Sequence, residues 1–453
     1  MQTHSRAGTE IGASLTGSGL FNASYYVSCY GMVIPPGMEP LVHFLTVGGV
    51  RGFKPSANFD PIVYSIMHPE CCLANAAADA LRRFNGGPVP PYEVQSIVPA
   101  DLRLASTKGV SQVVDDRSNN LDRAANYGQE TAIAFAIDSK TYHLHVPPAD
   151  DILQRIEADR PLAMARISQG DWDALWAYEY YARQLRNFPP MSRLCDDLWR
   201  LLAARLCDAW HHEMDVYAEH FLVELYGDLA AKIENPDFVY CVAFKGYPTA
   251  DERLFEWSAE PTKEDQERLR LFASFFAPEE RLLEATVWKR WIISGELQDL
   301  PRLARQRPVI LMAADVLADL DERWKLPWFL HIPIPVTQAY QLRNRLLEQC
   351  RAAIAEARAI SSREAAPQPL FLMQGSSFAY WFMKRLFETD PEVFYLDVGQ
   401  ALHPWFFDKH DVPLRNWGRL YGPTIVRNNK LESFYRARGV ADPVINSLFH
   451  KRR

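Results

Sequence analysis

The sequence predicts an α/β protein with a mainly parallel, doubly wound (Rossmann-like) sheet and a smaller N-terminal α/β or α+β domain. Short apolar runs typical of buried parallel strands start near Leu162, Asp237, Pro308, Trp328, Leu370 and Val393. Segments with helical apolar spacing separate most of these runs. In addition, Pro369–Phe407 has the pattern of a strand, a Gly-Ser loop, a helix and a second strand, which is one βαβ unit.

Length and composition define the class of protein. A chain of 453 residues is too long for one ordinary core, so we expect a domain of unknown role over 1–148 and the α/β domain over 149–453. The boundary is predicted at Pro147-Pro148, where the short N-terminal elements give way to long amphipathic helices. A net charge of -7 argues against a general nucleic-acid-binding protein.

The N-terminal domain has few regular elements by pattern. Strands are predicted over Tyr25–Val33 and Leu41–Val47, separated by Pro35-Pro36-Gly37. A helix is predicted over Cys72–Phe84, and Gly86-Gly87-Pro88 ends it. Further short strands are predicted at Val94–Val98, Val110–Val114, Thr131–Ile137 and Tyr142–Val146.

Helices dominate the second domain between its strands. The start signal Thr-Lys-Glu-Asp at Thr262 is one clear beginning, and Ser294-Gly295 is one clear end. The predicted helices are Asp151–Ala158, Ala174–Leu185, Leu194–Leu206, Ala209–Leu229, Thr262–Phe275, Glu280–Ile293, Thr337–Ile360 and Phe378–Phe387.

Several patterns point to a cytoplasmic protein. Seven cysteines without a CxxC pair make a poor disulfide framework and favour a reducing compartment. The N-terminal residues lack the basic and apolar regions of a signal peptide, and no apolar run is long enough for a transmembrane segment. The sequence leaves self-association open.

The loop Gln374–Ser377 carries the first functional hypothesis. A helix that follows a small-residue loop presents free N–H groups and a positive dipole end to an anion. Ligands of open α/β sheets bind beyond the carboxyl ends of the strands, where Ser376, Ser377 and Asp397 are predicted. The alternative is that Gly375 only makes a turn and that Asp397 only caps one.

Four motifs in order resemble the GT-D-type glycosyltransferases. The run Arg166-Ile-Ser-Gln-Gly-Asp-Trp172 resembles their Arg-x-Gly-Asp-Gly-Glu-Trp motif. The strand Val309–Ala313 and the proline turn Ile332–Pro335 are similar to their middle section. Gln374–Ser377 and Leu396–Gln400 resemble their late Gly-rich loop and Asp-Ile-Gly-His strand end. The resemblance covers about residues 150–410.

The resemblance implies transfer of a hexose from a nucleotide sugar, UDP-linked by family analogy, to a glycan, lipid-linked or protein acceptor. Asp171 and Asp397 would be the catalytic residues, and Asp171 and Asp173 would bind Mn²⁺ or Mg²⁺. The donor would contact Arg166, Gln169, Gly375, Ser376, Ser377 and Gln400. The motifs depart from the family at Gln169 and Asp171, which replace Asp and Glu, and at Gln400, which replaces His. A neutral glutamine is a poorer ligand for these cations, which puts metal use in question.

Other functions are compatible with parts of the sequence. A non-catalytic nucleotide-sugar-binding or assembly module is favoured by Gln169. A serine hydrolase is suggested by Ser377, Asp397 and His403 in that order, although Asp397 ends the very next strand and no oxyanion-hole motif is present. Three pairs resemble metal or nucleotide ligands but lack the partners that such sites need, and these are Asp115-Asp116, His143 with His145, and His211-His212.

Overall fold

The structure is a computed structural model, and it divides into two compact units. Unit 1 contains 1–109, 177–224 and 441–453, and unit 2 contains 110–176 and 225–440. The two strands that precede the boundary predicted near residue 148 join the sheet of unit 2. The residues that the structure describes are 14–31, 34–92, 132–187, 202–203, 221–243, 263–285, 287–288, 291, 296–334, 339–375 and 377–402.

A nine-stranded mixed sheet forms the core of unit 2. The strands are β1 Ala132–Ile137, β2 Lys140–His145, β3 Ala163–Ile167, β4 Phe238–Val242, β5 Leu282–Glu284, β6 Val309–Ala313, β7 Phe329–Pro333, β8 Leu370–Met373 and β9 Phe394–Asp397. Their order is β1-β2-β5-β4-β3-β9-β8-β6-β7. Only β1 and β2 pair antiparallel, and all other described pairs are parallel. The predicted α/β class with a mainly parallel sheet is confirmed, and its topology is compatible with a Rossmann-like fold.

Helices connect most of the strands. The described α-helices are α1 Ala23–Tyr30, α2 Pro40–His43, α3 Pro61–Met67, α4 Ala76–Arg83, α5 Ala149–Glu157, α6 Gln169–Asn187, α7 Phe221–Ala230, α8 Lys263–Phe275, α9 Leu300–Ala304, α10 Leu320–Trp324, α11 Arg343–Glu364 and α12 Ser377–Phe387. Among these described helices, none combines the length and the apolarity needed to cross a bilayer.

The central segments form parallel strands because they are apolar throughout and are buried on both faces of the sheet. All five residues of β6 and all four residues of β8 and of β9 are buried. Such continuous apolar runs are typical of parallel strands covered by helices on both sides. The six strands predicted from these runs are confirmed, as are β1 and β2.

Two predicted strands of unit 1 are helical instead. Residues predicted as Tyr25–Val33 lie largely in α1, whose N-cap Asn22 accepts a hydrogen bond from the N–H of Tyr25. Residues predicted as Leu41–Val47 lie in α2, which has Pro40 at its first position, and in the π-helix Phe44–Gly48. The β-branched and aromatic composition favoured strands, but the caps and the packing of the aromatic side chains favour helices.

The predicted helix Glu280–Ile293 is wrong at its beginning, because Leu282–Glu284 forms β5. Leu282 lies between Leu144 of β2 and Tyr240 of β4, and all three residues of β5 are buried. Pairing on both edges satisfies the backbone and outweighs the local helical spacing.

A buried histidine in unit 1 predicts acid sensitivity. His43 is 2% exposed, and its Nδ1 lies 2.9 Å from the hydroxyl of Tyr26. Burial, and then the charge of Arg51, lower the pKa of His43 below 6.5. Because the unfolded chain binds this proton more readily, unit 1 is expected to lose stability as the pH falls below about 6.5 towards the folded-state pKa.

Hydrogen exchange measures this expected loss. Peptides that cover 40–48 should exchange faster at pH 5.5 than at pH 7.5 after correction for intrinsic rates, and His43→Gln should reduce the difference. Peptides from α11 serve as the internal reference, since no His lies in that helix. An equal pH effect in wild type and variant would contradict a role for His43.

Candidate functional site

The carboxyl ends of three adjacent strands form the candidate site. β3 lies beside β9, and β9 lies beside β8, with Met373 and Asp397 in register at the ends of the last two. Helix α6 follows β3, the short 3₁₀ turn Gly399–Leu402 follows β9, and the loop with Gly375 leads from β8 into α12. The structure therefore brings three of the predicted segments, those that begin at Arg166, Gln374 and Leu396, to one edge of the sheet, where open α/β sheets bind ligands.

The loop after β8 lies where the direction of the chain reverses. The chain leaves β8 for β9, whereas it leaves neighbouring β6 for β7 on the other side. Right-handed connections in opposite directions place their helices on opposite faces and leave a crevice between them. A Cβ at Gly375 would lie 3.2 Å from Cδ1 of Ile334, so this loop packs closely against that side chain.

Arg166 belongs to β3, and its side chain makes contacts at the carboxyl ends of two other strands, β5 and β9. Its Nε donates a hydrogen bond of 3.0 Å to the carbonyl of Ala285, and its Nη1 lies 3.7 Å from Oδ1 of Asp397. Among the described residues, no acceptor lies within hydrogen-bonding distance of Nη1 or Nη2. The side chain is 17% exposed, so these terminal nitrogens are accessible to a ligand.

Gly399 makes room for this guanidinium. Its φ of +50° lies in the left-handed region, and a Cβ at this position would overlap Nη1 of Arg166 and lie 2.7 Å from Cζ. Any larger residue would displace the guanidinium in addition to straining the backbone. Sequence analysis missed this glycine, whose signal was only its place in the Asp-Val-Gly strand end.

Asp397 is a buried carboxyl group with a perturbed pKa. The side chain is 2% exposed, and Oδ1 accepts a hydrogen bond of 3.0 Å from the N–H of Gly399. Burial raises the pKa of Asp397 from 3.8 to about 7, and the charge of Arg166 and the Gly399 N–H only partly oppose this rise. Perturbed carboxyl groups cluster at functional sites, although ion pairs in structural networks are perturbed as well.

Asp171 stabilises the beginning of α6. Its Oδ2 accepts hydrogen bonds from the N–H of Ser168 at 2.6 Å and from the hydroxyl of Ser168 at 2.8 Å. This is one half of a capping box, in which the side chain of the third helical residue reaches back to the N–H of the residue before the helix. The sequence Ser168-Gln-Gly-Asp171 carries the signal for it, which the metal hypothesis overlooked.

Asp173 has a different partner. Its Oδ1 lies 2.6 Å from Nε of Arg268, whose guanidinium lies over the ring of Trp176 at 4.6 Å. Residues two apart in a helix point in directions about 160° apart, so Asp171 and Asp173 do not converge on one point. Within the described part of the chain, no group of three or more His, Cys, Asp or Glu side chains is arranged to hold a metal ion.

A second buried acid lies next to this site. Glu284 ends β5 with 0% exposure and directly precedes Ala285, the acceptor for Arg166. Burial raises the pKa of the neighbouring Cys241 thiol, and the charges of Arg166, Asp397 and Glu284 all act on it, so these groups surround it. Sequence analysis missed Glu284 because the segment was interpreted as a helix.

Several predicted residues lie partly or wholly outside the described structure. Gln169 and Gln400 are placed by their backbones at the start of α6 and after β9, and Ser377 is the first residue of α12. The residues outside the described ranges are Ser376, His403, Asp115, Asp116, His211 and His212. His143 and His145 lie on exposed positions of β2.

Comparison with known proteins gave no match, since no family model fits the chain and no curated protein or solved structure is similar to it at a significant level. Function is therefore inferred from the chemistry of the edge formed by β3, β9 and β8.

Proposed function

We propose that the protein transfers a hexose from a nucleotide sugar and that the diphosphate of the donor binds at the carboxyl edge of β3, β9 and β8. The observation that carries this proposal is the state of Arg166. Its two terminal nitrogens donate no hydrogen bond to any described acceptor, while the hydrogen bond of Nε and the close approach of Gly399 hold the side chain in place. A planar guanidinium with free donors is suited to bidentate contact with phosphate oxygens. The GT-D-like resemblance supports the same class of ligand.

The chemistry of glycosyl transfer fits these groups. The bond between the anomeric carbon and the diphosphate oxygen breaks, and the acceptor hydroxyl oxygen forms the new bond to that carbon. Negative charge develops on the leaving diphosphate, which Arg166 and the positive dipole end of α12 would stabilise. A base must take the hydroxyl proton, and Asp397, with its pKa near 7, has the required basicity.

Burial gives Asp397 a second role. At 2% exposure its carboxyl group contacts Arg166 and the Gly399 N–H rather than solvent, so it orients the guanidinium. The proposed function is carried by Arg166 at the donor site, whether or not Asp397 also accepts the proton.

A nucleotide-sugar-binding module without turnover is the second candidate. The observation that favours it is the capping role of Asp171, which places in a helix cap the acid that the family uses for the donor. Binding is common to the two candidates, so release of free UDP from a UDP-hexose in the presence of acceptor separates them.

The test of the proposed function is titration calorimetry of the full chain with UDP, followed by a donor screen. Wild type is expected to bind UDP, and Arg166→Gln is expected to weaken binding by roughly 10- to 100-fold, because a charge-assisted bidentate contact is lost. Arg281→Gln is the matched control, since Arg281 is exposed and precedes β5 at the other end of that strand. Equal affinity of both variants would refute the assignment of the donor site.

A further inference from the structure

We infer that Arg166 supplies the positive charge of the diphosphate site and that the protein binds its nucleotide without a divalent cation. This inference rests on the proposed function and deepens it. It reverses the expectation from the GT-D-like resemblance, in which an Asp-x-Glu pair serves a metal.

The acidic residues do not fit a shared cation. Oδ2 of Asp171 already accepts two hydrogen bonds from Ser168, at 2.6 and 2.8 Å. Asp173 points to another side of α6 and is paired with Arg268. Mg²⁺ and Mn²⁺ sites need oxygen ligands that converge in near-octahedral geometry, and these two carboxylates diverge.

Arg166 is held in place at the carboxyl edge of the sheet by two contacts. One side of the guanidinium is tied to the carbonyl of Ala285, and Nη1 lies within 3.7 Å of Asp397. A side chain fixed in this way has already lost most of its conformational freedom, so less entropy is lost when a ligand binds. Its nearby positive charge also opposes the binding of a second cation at the same edge.

A substitution at Gly399 tests whether the position of the Arg166 guanidinium matters, separately from its charge. Gly399→Ala adds one methyl group that overlaps the guanidinium, while every charge of the site is kept. Gly86→Ala is the matched control, because Gly86 has a φ of +74° and a Cβ there would meet nothing within 4 Å. Both variants carry the strain of a left-handed alanine, but only the first moves Arg166.

The experiment is calorimetric titration of the full chain with UDP, once in EDTA and once with Mn²⁺. Wild type is expected to bind with the same Kd, within twofold, in both buffers. Gly399→Ala is expected to weaken binding at least tenfold in both buffers, and Gly86→Ala is expected to bind like wild type. Arg166→Lys keeps the charge without the planar fork, so it should give an intermediate loss and provides a second test if Gly399→Ala does not fold.

The outcomes distinguish the inference from the function on which it rests. UDP binding that requires Mn²⁺, or Gly399→Ala with wild-type affinity, would overturn the inference and leave a nucleotide-binding function in place. Absence of UDP binding in both buffers would overturn the inference and the proposed function together.

Discussion

Replacement of Asp397 by asparagine is expected to raise the free energy of unfolding by about 4 kcal/mol at pH 8. In the unfolded chain Asp397 releases its proton near pH 4, whereas in the folded chain burial raises the pKa to about 7. The folded state of the wild type therefore binds more protons between these values, and its stability falls as the pH rises from about 4 to about 7, by about 1.4 kcal/mol per pH unit. Asparagine has no proton to lose and still accepts the Gly399 N–H.

Denaturant unfolding of both proteins at pH 5, 6.5 and 8 measures this effect. The advantage of the variant should grow from pH 5 to about pH 7 and then stay constant. Asp173→Asn is the contrasting control, since Asp173 is paired with Arg268 at 2.6 Å and its loss should destabilise the protein. An advantage that does not change with pH would show that Asp397 does not titrate in this range.

A gain in stability at the cost of function would mark Asp397 as a functional residue. Residues that are retained in an unfavourable state are expected at sites where the chemistry needs them. If Asp397 is the base, Asp397→Asn should lower turnover and leave the affinity for UDP unchanged. If it only orients Arg166, the affinity for UDP should change as well.

Replacement of Arg307 by methionine is expected to destabilise unit 2 by about 1 to 3 kcal/mol, because hydrogen bonds from a buried charged donor are lost. The Arg307 side chain is 1% exposed, and it donates to Oδ1 of Asp159 and to the carbonyls of Ile156 and Gln368. Its guanidinium also lies over the ring of Phe394 at 5.1 Å. Methionine fills much of the space, and the Ile156 carbonyl keeps the N–H of Asp159 as a donor. The carbonyl of Gln368 and the carboxylate of Asp159 lose the guanidinium, and this loss is the costly part of the change.

The Arg307 prediction is tested by the midpoint of denaturant unfolding. The unfolding midpoint of Arg307→Lys should lie between those of Arg307→Met and wild type. An ammonium group keeps the charge but cannot reach all three acceptors, as the planar guanidinium does. Arg302→Met is the control, since Arg302 is 48% exposed and pairs with Glu157 at 3.4 Å, a contact worth less than about 1 kcal/mol. Similar losses at the two positions would contradict a special role for the buried network.

Local apolar patterns were sufficient to predict most strands of the sheet. The runs at Val309–Ala313 and Leu370–Met373 are apolar throughout, and only strands buried on both faces require that pattern. The loop that contains Gly375 was placed correctly between a strand and a helix for the same reason. The prediction failed where the strand propensity of the residues disagrees with their surroundings. In α1 the N-cap at Asn22 stabilises a helix although the aromatic and β-branched residues favour a strand.

The site depended far more on tertiary contacts. The strand-end argument placed Asp397 at the carboxyl edge of the sheet. Arg166 and Asp171 were joined to it through the resemblance to the GT-D-type motif. Sequence analysis did not indicate that Asp171 and Asp173 bind different partners, Ser168 and Arg268. The helical direction of two side chains two residues apart could have predicted this divergence once α6 was known to begin at Gln169.

The sequence by itself determined the class of fold, the positions of most strands along the chain and the edge of the sheet where the chemistry is expected, because these follow from local apolar patterns. Only the tertiary structure decided that Leu282–Glu284 is a strand and that Glu284 and Gly399 belong to the site. It also decided that Arg166 is anchored on Ala285. These facts depend on pairing and close approach between residues that lie far apart in the sequence, which no local pattern encodes.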